Sequence, residues 1–145
     1  MTAIPWLDAA YTEMVAGVRE ISGPHHNLRI LEYLNSTSLG SDGGDETPWC
    51  SAFVNWCCRI ARVDGTGLAN ARSWTTWGWE CSPPRIGAIV VLWRGSPTSQ
   101  MGHVGFLVGA STHSPNVCIL GGNQDNRVSV AAFPVNRVLA YRWPK

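Results

Sequence analysis

Long apolar runs are missing from this 145-residue chain, and no stretch approaches the roughly 20 residues that cross a bilayer. Charge is sparse as well: eleven Lys and Arg stand against ten Asp and Glu, for a formal net charge of +1. So even a balance excludes the basic footprint of a nucleic-acid binder. The opening residues, Met1-Thr2-Ala3-Ile4-Pro5-Trp6-Leu7-Asp8, lack a basic segment followed by an apolar one, so no cleaved secretory signal is expected. Internal repeats and low-complexity tracts are absent. At this length one domain spanning residues 1–145 is the expectation, large enough to bury a core.

No Cys-x-x-Cys pair is present among the five cysteines, and adjacent Cys57 and Cys58 make a poor start for a metal site. An odd count leaves at least one thiol free in a monomer. Most of the five are expected to be small buried hydrophobes. A bridge among Cys58, Cys81 and Cys118 is left open. What the chain has in excess is tryptophan, eight in all. Core packing is the leading explanation, and a groove with apolar walls for sugar rings or an extended peptide is the alternative.

The chain divides into a helical first half and a strand-rich second half. Leu7, Ala10, Tyr11, Met14, Val18 and Ile21 recur at helical spacing, which predicts an amphipathic helix from about Pro5 to Glu20, stopped by Gly23-Pro24. A short helix follows Asn27, with Leu28, Leu31 and Leu34 inward. Residues 36–47 are small, polar and glycine-rich, and form a loop. Thr47 then reads as a helix cap with Pro48 at the first position, and Trp49, Phe53, Trp56, Cys57 and Ile60 mark an apolar face through about Ala61. Another short helix fits Ala69 to Trp77. Beyond Pro83-Pro84, five β-branched or aromatic runs predict strands: Ile86–Trp93, His103–Gly109, Val117–Leu120, Val128–Phe133 and Val138–Trp143. Helices first and strands after predict an α+β fold, with an antiparallel sheet or half-barrel.

Two segments carry the chemistry. Thr47-Pro48-Trp49-Cys50 places a thiol in the opening turn of a helix, where the positive end of the backbone dipole favours thiolate. Asp45 and Glu46 oppose this by their charge. Gly102-His103-Val104-Gly105 puts an imidazole at the head of a strand, between glycines that admit close approach. Of the other histidines, His25 and His26 read as solvated turn residues and His113 as part of a hairpin tip. An imidazole base needs a third group to orient it, and beyond Cys81 the only acid is Asp125. If the strands flanking residues 111–115 form a hairpin, His103 lies opposite about Gly121 to Asn123. That geometry favours Asn123 as the orienter, ahead of Asp125 and Gln124.

The segment Asp45-Glu46-Thr47-Pro48-Trp49-Cys50-Ser51-Ala52-Phe53-Val54 resembles the nucleophile segment of bacterial and phage cell-wall hydrolases of the NlpC and CHAP type, small papain-like cysteine peptidases. Gly87-Ala88-Ile89-Val90-Val91 is similar to their first core strand, where an acid often replaces Ala88. Gly102-His103-Val104-Gly105-Phe106 resembles their histidine strand, and Leu120-Gly121-Gly122-Asn123 the strand bearing their third residue. Gly17-Val18-Arg19-Glu20-Ile21, followed by Gly23-Pro24 and Asn27, is similar to the N-terminal part of one subgroup. Many relatives use His or Glu at the third position, and CHAP members often carry an acid two residues earlier, where this chain has Gly121.

The resemblance implies N-terminal helices packed on a C-terminal antiparallel sheet and hydrolysis of an amide in peptidoglycan. It makes Cys50 the nucleophile, His103 general base and acid, and Asn123 the orienting residue. A thioester intermediate and an oxyanion held by amides of the Cys50 helix follow, with no metal or other cofactor. Asp45, Glu46 and Trp49 are the candidate contacts to the stem peptide, the two acids toward a free amino group. Alternatively, those acids serve only the helix dipole. The expected protein is a monomer made in the cytoplasm. It would reach the wall by holin release, virion delivery or a secretion apparatus, in the last case with an immunity protein as partner. Competing readings are a non-catalytic module binding wall peptide or glycan, a zinc site built from His103, His113 and cysteines, and a papain-like amidase on a non-wall substrate.

Overall fold

The computed structural model describes residues 3–145. Three helices come first: α1 (Pro5–Val15), α2 (Leu28–Leu34) and α3 (Cys50–Ile60). A 3-10 turn, Ala71–Trp74, follows, and a second, Val135–Arg137, precedes the last strand. Among the described residues six strands then form one antiparallel sheet: β1 (Trp79–Glu80), β2 (Ile89–Trp93), β3 (Gly102–Ala110), β4 (Asn116–Gln124), β5 (Arg127–Pro134) and β6 (Val138–Trp143). Their order is β1-β6-β2-β3-β4-β5. The fold is α+β, with the helices ahead of the sheet as the sequence implies. All five predicted strands are present, and the sixth is the two-residue Trp79–Glu80 at the sheet edge.

Alternation along the strands separates two apolar layers. Ile89, Val91, Val104, Phe106 and Leu120 face the helices and meet Trp49, Phe53 and Trp74 in the larger core. Ala88, Val90, Leu92, Leu107 and Ile119 form a second cluster on the other face, packed against Phe133, Val138 and Tyr141. Helix α3 lies across β3 and β4. Its seat is aromatic: Tyr33 stacks on Trp49 with centroids 5.8 Å apart and meets Phe53 edge-on at 5.2 Å.

The first helix is shorter than its periodicity predicts. Gly17 turns left-handed at φ 75° just past the last turn, the usual geometry of a helix stop. The chain then extends along β5, where the Val18 carbonyl accepts from Val128 N–H at 3.0 Å and Glu20 N–H donates to the Asn126 carbonyl at 2.8 Å. Val18 is buried as predicted, but from an extended segment. In α2 the inward side chains are Ile30, Tyr33 and Leu34, and Leu28 points to solvent. The helix predicted over Ala69 to Trp77 shrinks to the 3-10 turn, yet Trp74 and Trp77 still meet edge-on at 4.8 Å. Most tryptophans serve the core: Trp49 and Trp74 are fully buried, and Trp79 is the one that is more than half exposed.

Candidate active site

Cys50 is the first residue of α3, not the third, and Trp49 takes the cap position that Thr47 was expected to fill. Thr47 stays in the loop, its N–H turned back on the Gly44 carbonyl at 3.2 Å. Burial of Trp49 then pins the helix start. Its ring lies in the core, and its indole N–H reaches Glu20 Oε1 at 2.9 Å. Ser51 fixes the next position, donating to the Leu68 carbonyl at 2.7 Å and accepting from the Trp74 indole at 2.8 Å. The opening amides of a helix have no intrahelical acceptor, so those of Cys50 and Ser51 are directed at the thiol.

The thiol itself is nearly closed off, at 8 % exposure for the residue. Burial raises the pKa of Cys50 above that of a free thiol. The amides of Val104, Ser51 and Cys50 and the charge of Arg94 pull the other way without overcoming it. The sequence left the balance at this thiol open, and desolvation is the largest influence on it, only partly offset by the helix-start amides.

His103 opens β3 one residue after Gly102 and is fully buried. Its ring stacks on Phe133 at 5.2 Å, and burial pushes its pKa down to about 4. Nε2 lies 2.9 Å from Gln124 Oε1. Gln124 Nε2 donates to the carbonyls of Ile119 at 3.1 Å and Ser129 at 2.7 Å, which settles which end of the amide is oxygen. Since that oxygen can only accept, His103 Nε2 carries the hydrogen, and Nδ1 of the neutral ring is left with a lone pair. Nδ1 is buried and has no hydrogen-bond partner among the described residues. Cys50 approaches the same point of β3 from α3, its sulfur at the Val104 amide next to His103. No hydrogen bond joins the two side chains.

The orienting contact expected of Asn123 is made by Gln124 instead. The β4–β5 register shifts between Gly121 and Gln124, and Asn123 adopts a left-handed φ of 57°, so the alternation fails there. Gln124 turns inward and Asn123 does not reach the ring. Asp125 is exposed and 3.6 Å from Arg127. Gly121 explains the substitution of roles. A Cβ at Gly121 would lie 2.6 Å from Gln124 Oε1 and 3.5 Å from His103 Nε2, so the amide occupies the space that an acid at this position would fill. Gly122 has another duty. A Cβ there would come within 2.7 Å of Trp49 and Phe53, so only glycine lets β4 cross the start of α3.

Two expected substrate contacts are structural. The Asp45 carboxylate is fully buried, accepting from the N–H of Ile21 at 2.9 Å and of Asn27 at 2.8 Å and pairing with His26 at 3.2 Å. Burial alone would raise its pKa, but these partners hold it below the usual carboxylate range. It ties the loop before Cys50 to the segment before α2, so it neither meets a substrate amine nor serves the α3 dipole. His26, read as a free turn residue, is its partner. Trp49 belongs to the core. Glu46 is exposed. The cysteines are all unpaired, and among the described residues no three His, Cys, Asp or Glu side chains cluster as a metal site.

A cysteine at a helix start and a buried, oriented histidine on the adjoining strand define an α+β protein with a thiol–imidazole site. Residues 42–123, which include Cys50, His103 and Asn123, match the CHAP domain family, and the chain belongs to that family. No curated protein matches the chain. CHAP domains are in general peptidoglycan-directed hydrolases or amidases, which assigns the chain to that broad class.

Proposed function

We propose that this protein cleaves an amide bond of the peptidoglycan stem peptide, with Cys50 as nucleophile and His103 as general base and acid. The observation that carries this reading is the buried, unpartnered Nδ1 of His103, its lone pair freed by the Gln124 contact at Nε2. A buried nitrogen without a partner is costly in a merely structural histidine and useful in a base.

In the resting protein thiol and imidazole are both neutral. As the sulfur attacks the carbonyl carbon, Nδ1 takes the thiol proton and a C–S bond forms. The oxyanion is met by the free amides at the start of α3. Nδ1 then delivers its proton to the departing nitrogen as the C–N bond breaks, leaving a thioester and a free amine. Water attacks the thioester, giving a proton to Nδ1, and the C–S bond breaks to release the acid. The thiolate recovers the proton from Nδ1. Gln124 keeps the ring in the required tautomer throughout.

Glu46, exposed and close to the nucleophile in sequence, is the acid left to meet a free amino group on the peptide. The protein acts at the wall after holin release, virion delivery or export as a toxin, and in the last case an immunity protein would be its partner. Digestion of isolated peptidoglycan with mass spectrometry of the released muropeptides tests the reading. New amine and carboxyl termini at one defined amide are expected, and no release by native protein would overturn it.

A further inference from the structure

Positive charge is unevenly placed along the chain. Beyond Cys81 there are six Lys and Arg and a single acid, Asp125. Two of these arginines lie near His103. Arg137 is occupied: Nε and Nη2 both donate to the Trp93 carbonyl, at 3.1 and 2.9 Å, and the guanidinium lies over the Trp93 and Phe133 rings. Arg94 is not. It is exposed, and among the described residues its guanidinium has neither a carboxylate nor a carbonyl partner.

Register places Arg94 beside the candidate pair. Leu92 lies opposite His103 and Trp93 opposite Gly102, and Arg94 N–H continues the ladder to the Met101 carbonyl at 3.3 Å. Residues two apart on a strand share a face, so Arg94 projects on the side of Leu92, the partner of His103. Its charge opposes protonation of His103 and favours ionisation of Cys50, which puts it within electrostatic range of both.

The loop carrying Arg94 is held in place from outside the sheet. Arg72, in the 3-10 turn, donates to the carbonyls of Met101, Pro97 and Ser96 at 3.0, 3.0 and 3.1 Å, and to Ser99 Oγ at 3.3 Å. Ser99 Oγ in turn donates to the Arg94 carbonyl. One guanidinium thus fastens the whole β2–β3 connection from its Ser96 turn to the residue before Gly102. A Cβ at Gly102 would lie 2.8 Å from the Leu92 carbonyl and 3.4 Å from Arg72 Nε, so the strand meets the clamp closely where His103 begins.

We propose that Arg94 is a specificity-determining residue that receives a free carboxylate of the peptide next to the scissile amide, and that Arg72 is the positioning residue that holds it there. The proposal rests on the hydrolase reading for its substrate, so its test includes a probe that needs no turnover. Cys50 is alkylated with iodoacetate, an anion, and with neutral iodoacetamide. The rate at Cys50 is followed by peptide mass mapping, and the ratio of the two rates reports an anion site at the thiol. In parallel, hydrolysis is measured on a wall peptide bearing a free carboxylate beside the scissile bond and on its carboxamide form.

Arg94→Gln is expected to lower the iodoacetate-to-iodoacetamide ratio and the kcat/KM for the carboxylate peptide by about tenfold, the scale of one charge-assisted hydrogen bond. Activity on the carboxamide peptide should change far less, and Arg94→Lys should recover most of the ratio. Arg72→Ala is expected to raise KM for the carboxylate peptide and lower the ratio, with Arg72→Lys recovering part of each. An unchanged ratio in Arg94→Gln, or equal losses on both peptides, overturns the role of Arg94. A ratio unmoved in Arg72→Ala, with only melting temperature lowered, overturns positioning by Arg72. If native protein cuts neither peptide, the hydrolase reading fails and the alkylation ratio alone decides the anion site.

Discussion

Gln124 Oε1 and His103 Nε2 lie 2.9 Å apart, and the two carbonyls that hold the Gln124 amide fix the direction of that bond. A neutral amide thus orients the histidine where a carboxylate often serves in relatives. An amide fixes a tautomer but supplies no negative charge to stabilise an imidazolium. Burial lowers the pKa of the ring to about 4 and raises that of the Cys50 thiol.

Replacing Gln124 should separate its role from that of Asn123. Gln124→Ala is expected to lower kcat by about 10- to 100-fold, part of the roughly 100- to 10,000-fold that a positioned general base contributes. Asn123→Ala should stay within a few fold, because its side chain does not reach the ring. Equal losses in the two variants would contradict the assignment.

Gln124→Glu should raise the pKa of His103 by placing a negative charge on Nε2–H. Loss of activity on the acid side, set near pH 4 in the native protein by the depressed His103 pKa, is then expected to move toward neutral pH. A pH profile of kcat/KM for both proteins measures the shift. An acid limb that stays in place would show that His103 does not set it.

The same depressed pKa makes a stability prediction. An unfolded chain takes up a proton on this histidine near pH 6.5, whereas the folded one holds it neutral down to about pH 4. Its contribution is complete above 6.5 and is lost as pH falls through 4. Melting temperature should decline across that window, and less steeply in a folded His103→Gln variant.

Cys50→Ala is expected to abolish hydrolysis of peptidoglycan, and retained activity would eliminate the mechanism. The raised pKa of the buried thiol adds a finer expectation. Alkylation of Cys50 by iodoacetamide should climb with pH past the free-thiol range. A plateau near neutral pH would indicate a resting thiolate–imidazolium pair instead.

Asp45→Ala should act on stability before chemistry. Leaving two part-buried amides and His26 without their acceptor is expected to cost about 1–3 kcal/mol. Denaturant unfolding measures it, and a loss of activity without loss of stability would argue for a role in the site. The depressed pKa of Asp45 gives the pH sign: its contribution is present above the usual carboxylate range and fades as pH falls through the folded value.

The α+β order, the strands and the placing of Cys50 at a helix start and His103 at a strand head were legible in the sequence because each rests on local signals. Alternation of apolar residues, a thiol after a glycine-rich loop and a histidine between glycines need no knowledge of what lies across the fold. Spacing misled where long-range burial decided. Val18 continues the helical period of α1 yet is buried in an extended segment against β5. Asp45 and Trp49 flank the nucleophile in sequence, but one is a buried clamp and the other a core side chain. Arg72 carried no signal at all, since its four acceptors lie 24 to 29 residues away.

The third member of the site marks the boundary between the two levels most clearly. From the sequence, His103 lies opposite about Gly121 to Asn123, because a hairpin pairs residues equidistant from its tip, and Asn123 is favoured as its orienter ahead of Asp125 and Gln124. Which one orients the ring was decided only in the tertiary structure. A bulge and a left-handed Asn123 turn Gln124 inward, into space left free by Gly121. The surroundings of the thiol were decided there too: a helix start favours thiolate locally, but burial against β3 removes water that would solvate it and pushes the thiol pKa up.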